Sequence, residues 1–377
     1  MQETGQTLQK LELVQPALLV DEKKVLQNIE KMVRKAKNAG VRLRPHFKTH
    51  QSAEIGNWFR KFGLDSITVS SVDMAAYFAA AGWEDITIAF PVNLLEMTKI
   101  NSLAKSIRLG LLVDSEAAVK FLAHQLKFPV SIWLKIDIGY GRVGVNWTDD
   151  KKMVRLIEAV DQAEKLQFTG LLTHFGHTYH AKSKEEIGQI YRQSLSRLKL
   201  LKTVLAENGK FHCQLSIGDT PSCSIIDRFD GIDEIRPGNF VFYDLTQFLL
   251  GVCSSDEIAV AVACPVVGKY AERNQIAVYG GAVHFSKESI AGENGRRIFG
   301  ELAIMTKDHW QRSKKKGVLV SISQEHGILE TEPSLFDQIH LGDLVFILPV
   351  HSCLTGNLYK NYVTLDGRKI SRFQSMV

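Results

Sequence analysis

Between Asp21 and about residue 250, short apolar runs alternate with longer amphipathic segments, and no other feature of the 377-residue chain restricts its fold as strongly. The apolar runs are Val41–His46, Ser66–Val69, Ile86–Phe90, Ile107–Val113, Val130–Ile136, Phe168–His174, His212–Ile217 and Ile232–Arg236. Seven helical or mixed segments separate them: Ser52–Phe62, Asp73–Ala81, Leu94–Lys105, Ser115–Gln125, Asp149–Lys165, Lys184–Glu207 and Ser222–Phe229. One more helix, Asp21–Ala39, precedes the first run and sets Val25, Ile29, Met32, Val33 and Ala36 on one face. Eight strands, each followed by a crossover, are the pattern of a (β/α)8 TIM-type barrel of the α/β class.

After Gly251 the pattern changes. Ile258–Val267, Gln275–Tyr279, Val318–Ser323 and Leu344–Leu348 are rich in Val and Ile, are separated by Gly and charged clusters, and have no long amphipathic helix among them. This reads as a second, smaller C-terminal β domain. The expected division is therefore a barrel over residues 21–255 and a β-rich, metal-binding domain over 256–377, joined by residues 1–20 through the strand-like run Pro16–Val20.

Charge and cysteine usage exclude several function classes. The formal net charge of +5 is spread along the chain. Its densest cluster, Lys314–Lys316, is short and has no interleaved aromatics, so it reads as a solvated face and no nucleic acid is expected. Met1–Lys10 is polar and has no apolar signal-peptide core, and no apolar stretch is long enough to span a bilayer. Five cysteines without a C-x-x-C pairing suggest free thiols in a reducing compartment. The expectation is a cytoplasmic protein with no membrane partner.

In a barrel of this kind, reacting groups stand beyond the C-terminal strand ends. Glycine-rich and titratable clusters gather at those ends: Arg44-Pro45-His46-Phe47-Lys48-Thr49-His50, Asp137–Gly144, His174–His180, Ser216–Pro221 and Arg236–Phe240. Lys48, between two histidines, is a candidate imine-forming amine, since burial and nearby positive charge lower the pKa of a lysine. Taken alone it reads more readily as a surface lysine, since lysines are mostly exposed. The turns at Gly218–Thr220 and Gly238–Asn239 offer backbone N–H groups suited to a phosphate. Gly139–Gly144 matches G-x-G-x-x-G, but it continues into Asn146-Trp147-Thr148 rather than a helix, so a dinucleotide site is rejected and Arg142 is read as a fixed cation at the barrel mouth.

His46 and His50 make a weak metal pair, because four-residue spacing suits a helix and this segment is a strand end carrying a proline. In His351-Ser352-Cys353, which follows an apolar run, alternation lets an imidazole and a thiolate point the same way. That donor pair suits zinc. A buried cysteine beside a hydrogen-bonded histidine is the other reading.

Taken together, these segments resemble the fold-type III pyridoxal-phosphate enzymes that include D-threonine aldolase and the zinc-dependent D-serine dehydratases, whose barrel is like that of alanine racemase. The resemblance runs from Pro16–Asp21 through the lysine segment Arg44–His50, Asp137–Gly139 with Arg142, His174–Tyr179, Ser216–Pro221 and Arg236–Asp244, to Gly342-Asp343 and Pro349–Cys353. It implies Lys48 as the cofactor lysine and Arg142 near the cofactor ring. It implies a phosphate held by the turns carrying Gly218, Thr220, Gly238 and Asn239, with Tyr243 nearby. His177 and Tyr179 would line the pocket, His177 as a catalytic group. His351 and Cys353 would hold a divalent metal, zinc by its donor set. A homodimer is implied, in which the barrel of one subunit meets the β domain of the other at the active site. Asp219 puts a carboxylate beside the phosphate turn, which is unfavourable unless it points away.

The activity expected is a pyridoxal 5'-phosphate- and metal-dependent lyase on a small-molecule D-amino acid, a D-serine/D-threonine dehydratase giving an oxoacid and ammonia. The His-x-Cys pair favours this, since the aldolases carry His-x-Asp. The alternatives are a D-threonine-type aldolase giving glycine and an aldehyde, an amino-acid racemase, a non-catalytic pyridoxal-phosphate-binding protein, and a barrel metallohydrolase.

Overall fold

Each of the eight apolar runs overlaps a β-strand, and six of the seven helices between them begin at a Ser or Asp cap encoded in the sequence. In the computed structural model, which describes residues 13–209, 212–292, 295–306 and 309–374, β1 (Ala17–Val20) precedes helix α1 (Glu22–Asn38). The barrel strands are β2 (Arg42–Leu43), β3 (Ser66–Val69), β4 (Asp85–Pro91), β5 (Arg108–Val113), β6 (Val130–Asp137), β8 (Leu166–Leu172), β9 (Gln214–Ile217) and β10 (Glu234–Ile235), with a two-residue β7 (Val145–Asn146) attached to β6. The helices between them are α2 (Ala53–Arg60), α3 (Val72–Ala80), α4 (Met97–Ser106), α5 (Glu116–Gln125), α6 (Asp150–Asp161), α7 (Lys184–Glu207) and the short α8 (Thr220–Ile225). Ser52, Ser71, Ser115, Asp149 and Ser183 cap α2, α3, α5, α6 and α7, each accepting from the backbone N–H three residues on. A cap of this type contributes about 1 kcal/mol. Met153, Leu156, Ile157 and Val160 form the buried stripe of α6 at helical spacing.

All eight strands are parallel, in the order β2-β10-β9-β8-β6-β5-β4-β3. A parallel bridge between His46 and Thr68 brings the end of β2 against β3 and nearly closes the sheet into a barrel. β2 is shorter than the run Val41–His46 because Pro45 has no N–H to donate, and α8 stops at Ile225 rather than reaching Phe229.

The barrel interior is polar at one level. Arg44 Nε donates to Glu234 Oε2 at 2.6 Å and its Nη1 meets Asp85 Oδ1 at 2.5 Å. Glu234 Oε1 accepts from Ser216 Oγ at 2.6 Å, and Ser216 Oγ accepts in turn from Arg236 Nε at 2.7 Å. Arg44 Nε and Nη1 and Arg236 Nε and Nη2 all find acceptors, which offsets the cost of burying these charges. Deleting one partner would cost roughly 3–5 kcal/mol.

By internal contacts the chain divides into two units: Lys31–Gly238, and residues 13–30 with Asn239–Gln374. The sequence reading set the boundary at 255. Residues from Asn239 onward join the second unit because their hydrogen bonds lie there: Ala259 N–H donates to Phe242 C=O at 2.8 Å, and Thr246 Oγ1 to Val350 C=O at 2.8 Å.

The second unit is built on one sheet. Its strands are β11 (Val260–Tyr270), β12 (Gln275–Tyr279), β15 (Gly300–Met305), β16 (Trp310–Arg312), β17 (Gly317–Ile322), β18 (His326–Thr331), β19 (Leu344–Pro349), β20 (Asn361–Thr364) and β21 (Lys369–Ser371). β13 (Ile290–Ala291) and β14 (Arg297–Ile298) form a separate hairpin. The sheet order is β12-β18-β17-β15-β19-β11-β1-β20-β21, with β16 on β15. β1 pairs antiparallel with β11 and parallel with β20, so the opening run Pro16–Val20 does belong to this sheet. Residues 1–12 lie outside the described residues. Short helices α9 (Leu245–Leu249), α10 (Ala282–Phe285), α11 (Pro333–Phe336) and α12 (Ser352–Asn357) decorate the sheet. Among the described residues no helix is long and apolar enough to cross a membrane.

Candidate active site

Strand ends carry the chemistry of the barrel unit. Beyond β2, Lys48 projects as an exposed side chain, while its backbone N–H donates to His46 Nδ1 at 3.3 Å. The expectation that Lys48 is buried is not met, because its strand end opens to solvent. The buried lysine of this rim is Lys135 on β6, 6 % exposed, whose Nζ donates to the C=O of Ile136. Burial, then the charges of Arg236 and Arg142, lower its pKa to about 7. Burial together with Lys48 likewise pushes His46 and His174 well below the ordinary histidine value, so both are neutral imidazoles. Lys48, Lys135, Arg142 and Arg236 thus make the rim electropositive, beside the neutral His46 and His174.

The loop after β6 is held by Asp137. Its Oδ1 accepts from the backbone N–H groups of Gly139 (3.0 Å), Tyr140 (2.9 Å) and Gly141 (3.0 Å). Although burial opposes ionisation, these donors keep the carboxyl below the usual aspartate value. Gly139 and Gly141 both adopt positive φ, which lets the loop fold back over this carboxylate. Tyr140, so placed, packs on Gly176, and Arg142 stands over its ring at 5.5 Å.

The segment after β8 supplies three of the rim's aromatic rings. His174 Nδ1 is hydrogen-bonded to the C=O of Gly218. The Tyr179 hydroxyl accepts from the backbone N–H of Thr220 at 3.2 Å. His177 stacks on Tyr140 at 6.1 Å, and its Nε2 lies 3.4 Å from Ser194 Oγ. Its Nδ1 is buried and has no hydrogen-bond partner among the described residues. Burial and Arg197 lower its pKa, so His177 too is neutral.

At the turn after β9, Asp219 is buried and caps α8. Its Oδ2 accepts from Ser222 N–H at 2.7 Å and Thr178 Oγ1 at 2.9 Å. Gly218 is pressed against Arg236, and Gly238 against His46: a Cβ would meet Arg236 O at 2.9 Å and His46 O at 2.8 Å respectively. Thr220 Oγ1 is buried without a partner among the described residues. An unpaired hydroxyl, two crowded glycine turns and a cationic rim fit a phosphorylated cofactor that Lys48 could bind covalently.

The second unit gathers the other candidates. Tyr243 is buried at a left-handed φ of 50°, and its N–H donates to Asn239 C=O at 2.7 Å. Asn239, whose turn was assigned to the phosphate through its backbone, has its side chain engaged within this unit: Nδ2 donates to Asp244 Oδ2 at 2.7 Å, Ser352 Oγ at 2.9 Å and Cys353 Sγ at 3.7 Å. His351 and Cys353 are half-buried, and their side chains are hydrogen-bonded to each other. Burial pulls the His351 pKa down, but Cys353 and Asp244 outweigh it and raise it to about 9. A nitrogen and a sulfur donor side by side fit a zinc-type ion with open positions. Among the described residues, no group of three or more His, Cys, Asp or Glu gathers to hold a metal, so His351 and Cys353 stand as a two-residue pair.

His174, Lys135, Tyr140 and Arg236 were not singled out as site residues. His174 and Arg236 each stand next to a strand end, and position alone could have found them. Lys135 lies within an apolar strand and carries no such mark.

A nearly closed parallel barrel together with a separate antiparallel β-sheet unit is the fold of the alanine racemase class. The chain belongs to the alanine racemase N-terminal domain family, whose model matches residues 20–245, and a serine dehydratase domain model matches residues 259–365. The D-threo-3-hydroxyaspartate dehydratase of Delftia sp. is 30% identical over 94% of this chain and 95% of its own length. Its solved structure superposes with a TM-score of 0.89, covering 97% of this chain and 99% of that one. Another structure of that enzyme is of a cysteine-to-alanine mutant in the metal-free form. The D-serine dehydratase of Dictyostelium discoideum is 29% identical over 95% of both chains. A D-threonine aldolase of Arthrobacter sp. is 25% identical over 93% of this chain and 89% of its own.

Proposed function

We propose that this protein is a pyridoxal-phosphate- and metal-dependent dehydratase that converts a D-β-hydroxy amino acid to an oxoacid and ammonia. Lyase chemistry on D-hydroxy amino acids is what the dehydratases and aldolases among its relatives have in common. The observation that favours dehydration is the His351–Cys353 pair, where aldolases of this kind carry His-x-Asp.

When bound, the cofactor supplies an electron sink that acidifies Cα, and the metal supplies a Lewis acid for the departing β-hydroxyl. Lys48 would hold the cofactor, and Gly218, Thr220 and Gly238 its phosphate, with the backbone of Asn239 and with Tyr243 contributing. His351 and Cys353 would hold the metal. The chain's own residues then act as follows. Lys48 Nζ receives the Cα proton. Arg142, held by the Asp137 loop, offers a fixed cation to the cofactor ring. His46 and His174, being neutral, accept or donate hydrogen bonds without adding charge. Tyr179 buttresses the Thr220 turn. Water is lost across Cα–Cβ and regained on hydrolysis, so oxoacid and ammonia are the products.

The second reading is retro-aldol cleavage, favoured by the unpartnered Nδ1 of His177, a neutral base suited to a substrate hydroxyl proton. D-Threonine separates the two: elimination gives 2-oxobutyrate, whereas cleavage gives glycine and acetaldehyde. A homodimer belongs to the same proposal, and light scattering on the purified protein tests it. A cytoplasmic location is also proposed, testable by fractionating cells that express the protein.

A further inference from the structure

The carboxylate of Asp244 is 1% exposed, and both of its oxygens are used. Oδ1 accepts from Gln247 N–H at 3.0 Å, capping α9. Oδ2 accepts from the Ser352 backbone N–H at 2.9 Å, from Ser352 Oγ at 3.2 Å and from Asn239 Nδ2 at 2.7 Å. Ser352, fully buried, lies between His351 and Cys353. Gripping both its backbone and its side chain fixes the chain direction at the start of α12, and with it the directions in which the two neighbouring side chains leave. Asn239 completes the arrangement, since its amide also reaches Ser352 Oγ and, at 3.7 Å, Cys353 Sγ.

We propose that Asn239 and Asp244 are the positioning residues of the metal pair: Asp244 fixes the His351–Cys353 backbone, and Asn239 orients Asp244 while donating a hydrogen bond to the cysteine sulfur. The inference rests on the metal reading above. It gives the side chain of Asn239 a role at the metal, separate from the role of its backbone at the phosphate. An N–H aimed at a thiolate withdraws charge from sulfur and limits its rotation, and partners of this kind commonly govern affinity as strongly as a ligand does.

The test is metal binding by the full-length protein, measured by competition with a chromophoric zinc chelator and by the thiolate-to-cobalt charge-transfer band of the cobalt(II)-loaded form. Wild type is expected to bind one equivalent per chain. Asn239→Ala is expected to bind about 10- to 100-fold more weakly, with a displaced charge-transfer band. Asp244→Asn preserves shape but leaves one acceptor oxygen where two served, so Ser352 N–H and the α9 cap cannot both be satisfied and the charge that grips Ser352 is gone; the same loss is expected. It serves as the readout if Asn239→Ala does not fold. A merely structural role would lower thermal stability and leave the cobalt band where it was. Wild-type affinity and an unmoved band in the folded variants would overturn the inference while leaving the metal reading intact. If wild type takes up no metal, both fall.

Discussion

The hydroxyl of Thr178 donates to the carboxylate of Asp219 at 2.9 Å, tying the segment that bears His177 and Tyr179 to the turn that bears Gly218 and Thr220. Burial raises the pKa of Asp219 from 3.8 to about 6 despite its hydrogen bonds. A carboxyl whose folded pKa is raised stabilises the fold below its unfolded pKa, and that contribution is lost as pH rises through the folded value. Between about pH 4 and 6 the loss amounts to about 3 kcal/mol at most. Asp219→Asn removes the titration. Urea unfolding of the cofactor-free protein at several pH values should show wild type losing stability across this range relative to the variant.

Lys48 is exposed and supports no packing. Lys48→Ala should therefore change folding stability by less than about 0.5 kcal/mol. It should also abolish the borohydride-stable adduct with pyridoxal phosphate and the turnover together. Peptide mass analysis after reduction checks the adduct, and thermal melting checks the fold. Retention of activity would return the chain to the barrel metallohydrolase class.

At Gly238 a methyl group would stand 2.8 Å from His46 O, which is backbone and cannot swing aside. Gly238→Ala is expected to displace the turn, costing about 1–3 kcal/mol in stability and weakening cofactor binding. Titration of the apo-protein with pyridoxal phosphate, followed by absorbance, measures the second effect.

Asp137 acts on the rim through the loop it holds. Asp137→Ala removes the acceptor of three backbone N–H groups. Charge-assisted bonds of this type contribute roughly 1.5–3 kcal/mol each. With the loop released, Arg142 and Tyr140 lose their fixed positions, and kcat/KM should fall by at least about tenfold. Circular dichroism should remain that of the folded protein, since β6 itself is untouched.

Much of this was legible because strand and helix periods differ. All eight barrel strands fall on apolar runs, and six of the seven helix starts between them fall on Ser and Asp caps. In the second unit, the sheet strands Gly300–Met305, Trp310–Arg312, His326–Thr331, Asn361–Thr364 and Lys369–Ser371 lie outside the runs read from the sequence. GELAIM is made largely of good helix formers, and it becomes a strand only through pairing with β17 and β19. The positions of Lys48, Arg142 and Thr220 just beyond barrel strands were legible, because the apolar runs end before them. Roles were not legible where a network decides them. Asn239 sits beside a glycine turn in sequence, yet its amide is taken by Asp244 and Ser352, the latter 113 positions away.

The central claim is most directly tested by pyruvate release from D-serine, using pyridoxal-phosphate-loaded protein before and after dialysis against EDTA. Metal-assisted dehydration predicts pyruvate and ammonia in equal amounts, loss of both on chelation, and recovery on adding zinc. Pyruvate formation that is indifferent to EDTA in demonstrably metal-free protein would contradict the role given to His351 and Cys353. No pyruvate at any metal loading, from D-serine or as 2-oxobutyrate from D-threonine, would contradict the dehydratase itself.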